Sequence, residues 1–201
     1  MSTPSHPADR RTLIADTAIG LVAAAGLRGL THRAVDGAAG LPAGSTSYYF
    51  RTRTALIGAC YRRLAELDLA DFDGGDPHPA APPDREAAVA ALAGLLHRWL
   101  TTGRERQLAR FELSLEAARS PELEPELHRA GQGARSRAAD LLAALGSQRP
   151  AEAAELLAAW TDGLLYDRLA GALARSRPTP DPAELASVVR RMLDAVLDGP
   201  G

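Results

Sequence analysis

Alanine fills 41 of the 201 positions, whereas isoleucine and phenylalanine supply three each and asparagine none. Alanine loses least on entering a helix, and the β-branched and aromatic residues that suit a pleated surface are scarce. The chain is therefore expected to be all-α. Hydrophobic residues make up 46% and charged residues 24%, enough apolar surface for a folded core. No run approaches the roughly 18 uncharged apolar residues of a membrane span. Cys60 is the only cysteine, so neither an internal disulfide nor a Cys-rich zinc site is available. The opening MSTPSHPADRR lacks the basic-then-apolar order of a secretory signal, and a cytoplasmic location without membrane association is expected.

Charge is unevenly spread. Residues 1–63 hold eight arginines against Asp9, Asp16 and Asp36, a net of +5, while the remaining 138 residues carry −7. A basic head joined to an acidic remainder suits contact between the head and a polyanion.

The apolar positions Leu13, Ile14, Thr17, Ala18, Leu21, Val22 and Ala25 recur at helical spacing, which predicts a first helix over 8–25, with Gly26 as its terminal turn. Thr31 is suited to cap a short helix over 32–39, and Gly40, Leu41 and Pro42 interrupt it. A second short helix over 43–50 and a longer one capped by Thr52 follow. Two short helices around a glycine-containing turn form the outline of a helix-turn-helix. Residues 73–83, DGGDPHPAAPP, form the clearest break. Beyond it, helices are expected from Asp84 to Gly103, from there to Ser120, over 121–145, from Pro150 to Arg175, and from the capping box Asp181-Pro182-Ala183-Glu184 to Leu197. The total is about nine helices and no strand.

The turn region carries groups suited to DNA. The first N–H groups of a helix are unpaired and favour phosphate, and Thr31 and Ser45 add hydroxyls at two such ends. Gly44 allows close backbone approach, Arg33, Arg51 and Arg53 offer forked donors, and Tyr48 and Tyr49 combine a flat ring with a hydroxyl. His32 is a further candidate contact. Arg10 and Arg11 suit either a minor-groove contact or a free arm.

The segments Thr31-His32-Arg33-Ala34-Val35, Gly40-Leu41-Pro42-Ala43-Gly44-Ser45 and Tyr48-Tyr49-Phe50, followed by Leu56, resemble the DNA-binding domain of the TetR family of bacterial repressors. The resemblance covers about the first 60 residues. It implies a three-helix helix-turn-helix domain over 1–55 and a helical ligand-binding and dimerisation domain over 56–201. The implied DNA contacts are Thr31, His32, Arg33, Ala43, Gly44, Ser45, Thr46, Tyr48, Tyr49 and Arg51, with Phe50 buried. Family members often carry a long polar or basic side chain where this chain has Ala43. Its second short helix therefore offers mainly Ala, Gly, Ser, Thr and Tyr, which read methyl groups and backbone better than base edges.

The stripe Trp160, Leu164, Leu165, Leu169 and the stripe Val189, Met192, Leu193, Val196 suit either an internal core or a pairing surface; the resemblance implies a four-helix homodimer interface. The middle helices are similar to the family's effector-binding region, with Tyr61, His97, Trp99, Phe111, Glu112, Leu115, Arg119 and Tyr166 as candidate lining residues. Glu112 is expected to point inward, with Arg119 as a possible salt-bridge partner. Few polar groups in an apolar wall favour a largely hydrophobic small molecule.

No catalytic set, metal site or cofactor is expected: the histidines at 6, 32, 78, 97 and 128 lack ligand spacing, and no glycine-rich phosphate loop follows a strand. The reading is a bacterial, dimeric, ligand-released repressor on a palindromic operator. The alternative is a helical small-molecule sensor or protein-interaction module without sequence-specific DNA binding.

Overall fold

The computed structural model describes residues 7–73 and 84–198. Among them are nine α-helices, one short 3-10 turn and no strand. The predicted break lies, from residue 74 on, outside the described residues. The chain forms two compact units. One runs to Leu67 and includes Leu108–Ala130; the other comprises Asp68–Gln107 and everything from Gly131 on.

In the first unit, α1 (Pro7–Gly29) buries Ile14, Ala15, Ala18, Ile19 and Val22. By length and mean hydropathy its segment Ala8–Gly29 could cross a membrane, yet these five side chains are packed inside a protein core. Gly26 takes φ 63°, ψ −174°, so the helix breaks where the glycine predicts, and one more helical turn follows to Gly29. The carbonyls freed there are taken by Arg53, which donates to Leu27 O at 2.7 Å and to Leu30 O. Helix α2 (His32–Ala38) packs on α1 and α3 (Ser45–Tyr49) on α2, and α4 (Arg53–Phe72) adds Leu56, Ile57, Cys60, Tyr61 and Leu64 to the core. Thr52 caps α4 by accepting from Ala55 N at 3.0 Å.

In the second unit, α5 (Arg85–Leu100) packs against α8 (Pro150–Leu169) and α9 (Pro182–Leu197) around Val89, Leu96, Leu157, Leu165, Leu185, Val189 and Leu193. Asp84 caps α5 through Ala87 N at 2.7 Å, as its position predicts. Two expectations need correction. The helix α8 stops at Leu169 rather than near Arg175. The N–H groups of Ala170 and Gly171 both turn back to Tyr166 O, and a Cβ at Gly171 would lie 2.5 Å from Asp167 O. The capping box at α9 does not close either: Asp181 accepts from Ala183 N at 2.9 Å, while Glu184 is engaged by Arg168. The remaining helices α6 (Arg104–Ala117) and α7 (Glu124–Ala144) contribute to both units.

Candidate nucleic-acid interface

The site is assembled from α2, the turn over 39–44, and α3. Thr31 caps α2 by accepting from Ala34 N at 3.1 Å. The left-handed backbone at Gly44, φ 89°, lets the chain reverse directly into α3. At the other end Phe50 is buried and Tyr49 half-buried, while Tyr48 stands 80% exposed. The two tyrosine rings meet edge to face, 5.1 Å between centroids.

The side-chain bonds that tie α3 to α2 belong to a residue that nothing in the sequence pattern marks. Asp36 on α2 is buried, and its carboxylate accepts from Gly44 N at 2.8 Å, Thr46 N at 2.7 Å and the Thr46 hydroxyl at 2.6 Å. Burial alone would raise its pKa. The bonds from Thr46 and Gly44, with the nearby His32, outweigh it and hold the carboxyl below the usual range. Thr46 is therefore a correction: it is 0% exposed and its hydroxyl faces Asp36, so its side chain cannot touch DNA.

The other predicted residues divide clearly. Thr31, Arg33, Ala43, Gly44, Tyr48 and Arg51 are all exposed on this motif. Ser45 is half-buried and its hydroxyl donates to Pro42 O at 2.6 Å. His32 is half-buried, its Nε2 2.7 Å from Phe50 O, so that nitrogen donates to the protein rather than to a ligand. Among the basic residues, Arg53 caps α1, Arg63 pairs with Asp16 and Glu66, and Arg62 pairs with Glu126. Arg11 donates to Tyr49 O and lies over the Tyr49 and Phe50 rings, which fits neither a groove contact nor a free arm. Arg33 and Arg51, by contrast, make no hydrogen bond or ion pair among the described residues and are free to meet phosphate.

The eight candidate effector residues fare less well. Tyr61, Phe111, Glu112, Leu115 and Arg119 belong to the first unit; His97, Trp99 and Tyr166 belong to the second. Tyr61 is buried with its hydroxyl donating to Leu113 O at 2.7 Å, and Trp99 is buried with Nε1 donating to Asp71 at 2.8 Å. Phe111 and His97 are half-buried. Glu112, Leu115, Arg119 and Tyr166 are exposed, and the inward Glu112 is overturned. The inward face of α6 is Ala109, Leu113 and Ala117, which turns 112 and 115 away from the core, and Arg119 lies in the turn after the helix. A cleft of about 440 Å³ in the first unit is lined by Arg11, Tyr49, Arg62 and Glu126 among others, and none of the eight lines it.

The pairing stripes also split. Leu165, Leu169, Val189 and Leu193 are buried within a single chain, because α5, α8 and α9 pack on one another, so they cannot form an interface. Trp160 is exposed, and Leu164, Met192 and Val196 are half-buried.

Described residues that are helical without strands, with a helix-turn-helix in one unit and a second helical unit besides, have the architecture of a helix-turn-helix regulator. Residues 83–199 match the family model described as the tetracyclin repressor-like C-terminal domain. A TetR-family member from Streptomyces coelicolor A3 is 30% identical, with a TM-score of 0.69 over 92% of this chain and 98% of its own. The multidrug binding protein EbrR, solved with ethidium, is 32% identical, with a TM-score of 0.67 over 91% of this chain and 98% of its own. A transcriptional regulator from Rhodococcus sp. Rha1 shares the fold at 22% identity, with a TM-score of 0.76 over 94% and 96%. No curated protein matches the sequence. The chain belongs to the TetR family of transcriptional regulators.

Proposed function

We propose that this regulator is a repressor that binds a palindromic operator as a homodimer and releases it when a small molecule binds. DNA binding falls to residues 1–55, effector binding and pairing to 56–201. The observation that carries the reading is the exposed ridge of Thr31, Arg33, Ala43, Gly44, Tyr48 and Arg51, whose two arginines make no hydrogen bond or ion pair among the described residues, whereas Arg11, Arg53, Arg62 and Arg63 are engaged within the protein. A single such motif makes few phosphate contacts, so pairing on a two-fold site is the economical way to hold DNA. The likeness to EbrR supports a largely hydrophobic effector.

Fluorescence anisotropy on DNA from immediately upstream of the coding region, against random DNA of equal length and at the same salt, tests the reading. A preference of about a hundredfold or more is expected. Equal, weak binding to both would favour the sensor or interaction module. Arg51→Ala is expected to weaken both duplexes alike and to flatten the salt slope by about one unit, and an unchanged slope would remove Arg51 from the contacts. An effector that lowers operator affinity must itself be weakened by operator DNA by the same factor.

A further inference from the structure

Asp36 is a buried, fully engaged polar group of the head, and the exposed ridge does not include it. It is 5% exposed, and both carboxylate oxygens are used: one on Gly44 N, the other on the amide and hydroxyl of Thr46. The amide between them, Ser45 N, donates to Pro42 O at 3.1 Å. Three successive N–H groups at the start of α3 are thus satisfied inside the protein. A helix of five residues has almost no stability of its own, because nucleation costs more than one turn returns. What holds α3 helical and in place has to come from outside it.

We infer that Asp36 is the positioning residue of the recognition surface. Its carboxylate occupies the place at the start of α3 that a DNA phosphate would otherwise take and ties that helix to α2. The outward presentation of Ser47 and Tyr48 follows. This rests on the DNA-binding reading above and adds a division of labour to it. The amides of residues 44–46 hold the protein together, and the DNA backbone is left to exposed side chains such as Thr31, Arg33 and Arg51. It also accounts for Thr46: a buried hydroxyl needs an acceptor, and Asp36 supplies one.

The test uses the full chain with Asp36→Ala and Thr46→Val, singly and together. Affinity is measured for a duplex that the wild-type protein has selected from a randomised pool and for a scrambled duplex of the same length, while amide hydrogen exchange is followed over 44–47. Asp36→Ala is expected to bind scrambled DNA within about threefold of wild type, because the phosphate-facing side chains are intact. On the selected duplex it is expected to lose about tenfold or more, as the amides of 44 and 46 and the Thr46 hydroxyl lose their acceptor. Those two amides should exchange about tenfold or more faster. Thr46→Val keeps both amide bonds and should lose less. The double variant should recover part of the Asp36→Ala loss, since no hydroxyl is left unpaired.

An Asp36→Ala protein that keeps the selected-to-scrambled ratio, or whose amides at 44 and 46 stay protected, overturns the inference. If Asp36→Ala does not fold, Asp36→Asn carries the test: its carboxamide has one acceptor oxygen in place of two, so it cannot hold the amides of both 44 and 46, and an unchanged ratio with unchanged exchange overturns the inference there. A wild-type chain that selects no sequence defeats the DNA-binding reading and the recognition role with it. Faster exchange in Asp36→Ala would then still establish the hold on α3.

Discussion

Raising the pH from 9 towards 12 is expected to strip the first unit of several kcal/mol of stability, with Cys60 and Tyr61 as the cause. Cys60 is completely buried, and that burial pushes its thiol from 9.0 up to about 12; the nearby Arg62 works against the shift without cancelling it. Tyr61 is pushed from 10.0 to about 12, first by burial and then by the negative charge of Glu116 and the neighbouring Cys60. Its hydroxyl donates to Leu113 O, a bond that a phenolate cannot make. An unfolded chain releases both protons near their ordinary values, while the folded chain retains them. The stabilisation is therefore complete below pH 9, declines as pH rises past 9 for the cysteine and 10 for the tyrosine, and is spent above about 12. The cysteine alone accounts for on the order of 4 kcal/mol across that window.

Urea titrations at stepped pH read this directly. The unfolding free energy of wild type should fall steeply from pH 9 upward, and Cys60→Ala should fall more gently from a lower start. A thiol reagent should label native Cys60 only at the rate of unfolding. A flat profile through this range, or ready labelling of the native protein, would mean that α4 is not closed over these groups.

Much of the architecture was legible because its signals are local. Thr31, Thr52 and Asp84 each cap the helix that their position predicts, and each does so through an amide three residues ahead. Gly26, Gly40 and Gly44 take the positive φ that a turn there demands. What escaped lies beyond the reach of spacing. A helix as short as α3 has no periodicity from which to tell Thr46, turned in, from Tyr48, turned out. Asp36 reads in sequence as a solvated acid, since its partners stand eight and ten residues away. On α6 the alanines at 109 and 117 mark the buried face, whereas the larger Phe111 and Leu115 suggested another. In α8 the alanine-rich pattern runs on beyond Leu169, and that a side chain at 171 would collide with Asp167 O appears only in three dimensions.

If the proposed homodimer forms, replacing Trp160 by glutamate is expected to turn it into a folded monomer and to cost about a hundredfold or more in affinity for the proposed operator. Helix α8 has two apolar sides. One is consumed within the chain: Ala153, Ala154, Leu157, Leu165 and Leu169 are all buried. The other still carries Leu156, 50% exposed, Trp160, 37% exposed, and half-buried Leu164, spaced four apart and therefore on one line. Helix α9 repeats the arrangement, with Leu185, Val189 and Leu193 buried and Val188, Met192 and Val196 half-buried. A large aromatic side chain left partly in water on such a line is the type of residue that dominates an interface when covered. Two-fold pairing would bring each copy's glutamate into the same seam, where like charges repel and no partner is built in. The internal core does not include position 160, so the monomer should keep its cooperative unfolding, and Trp160→Phe should remain dimeric. Halving the contacts should also halve the salt dependence of DNA binding, which separates loss of pairing from damage to the head. Light scattering at micromolar concentration and anisotropy on the operator decide the matter: a Trp160→Glu protein that stays dimeric with undiminished affinity would move the pairing surface away from α8 altogether.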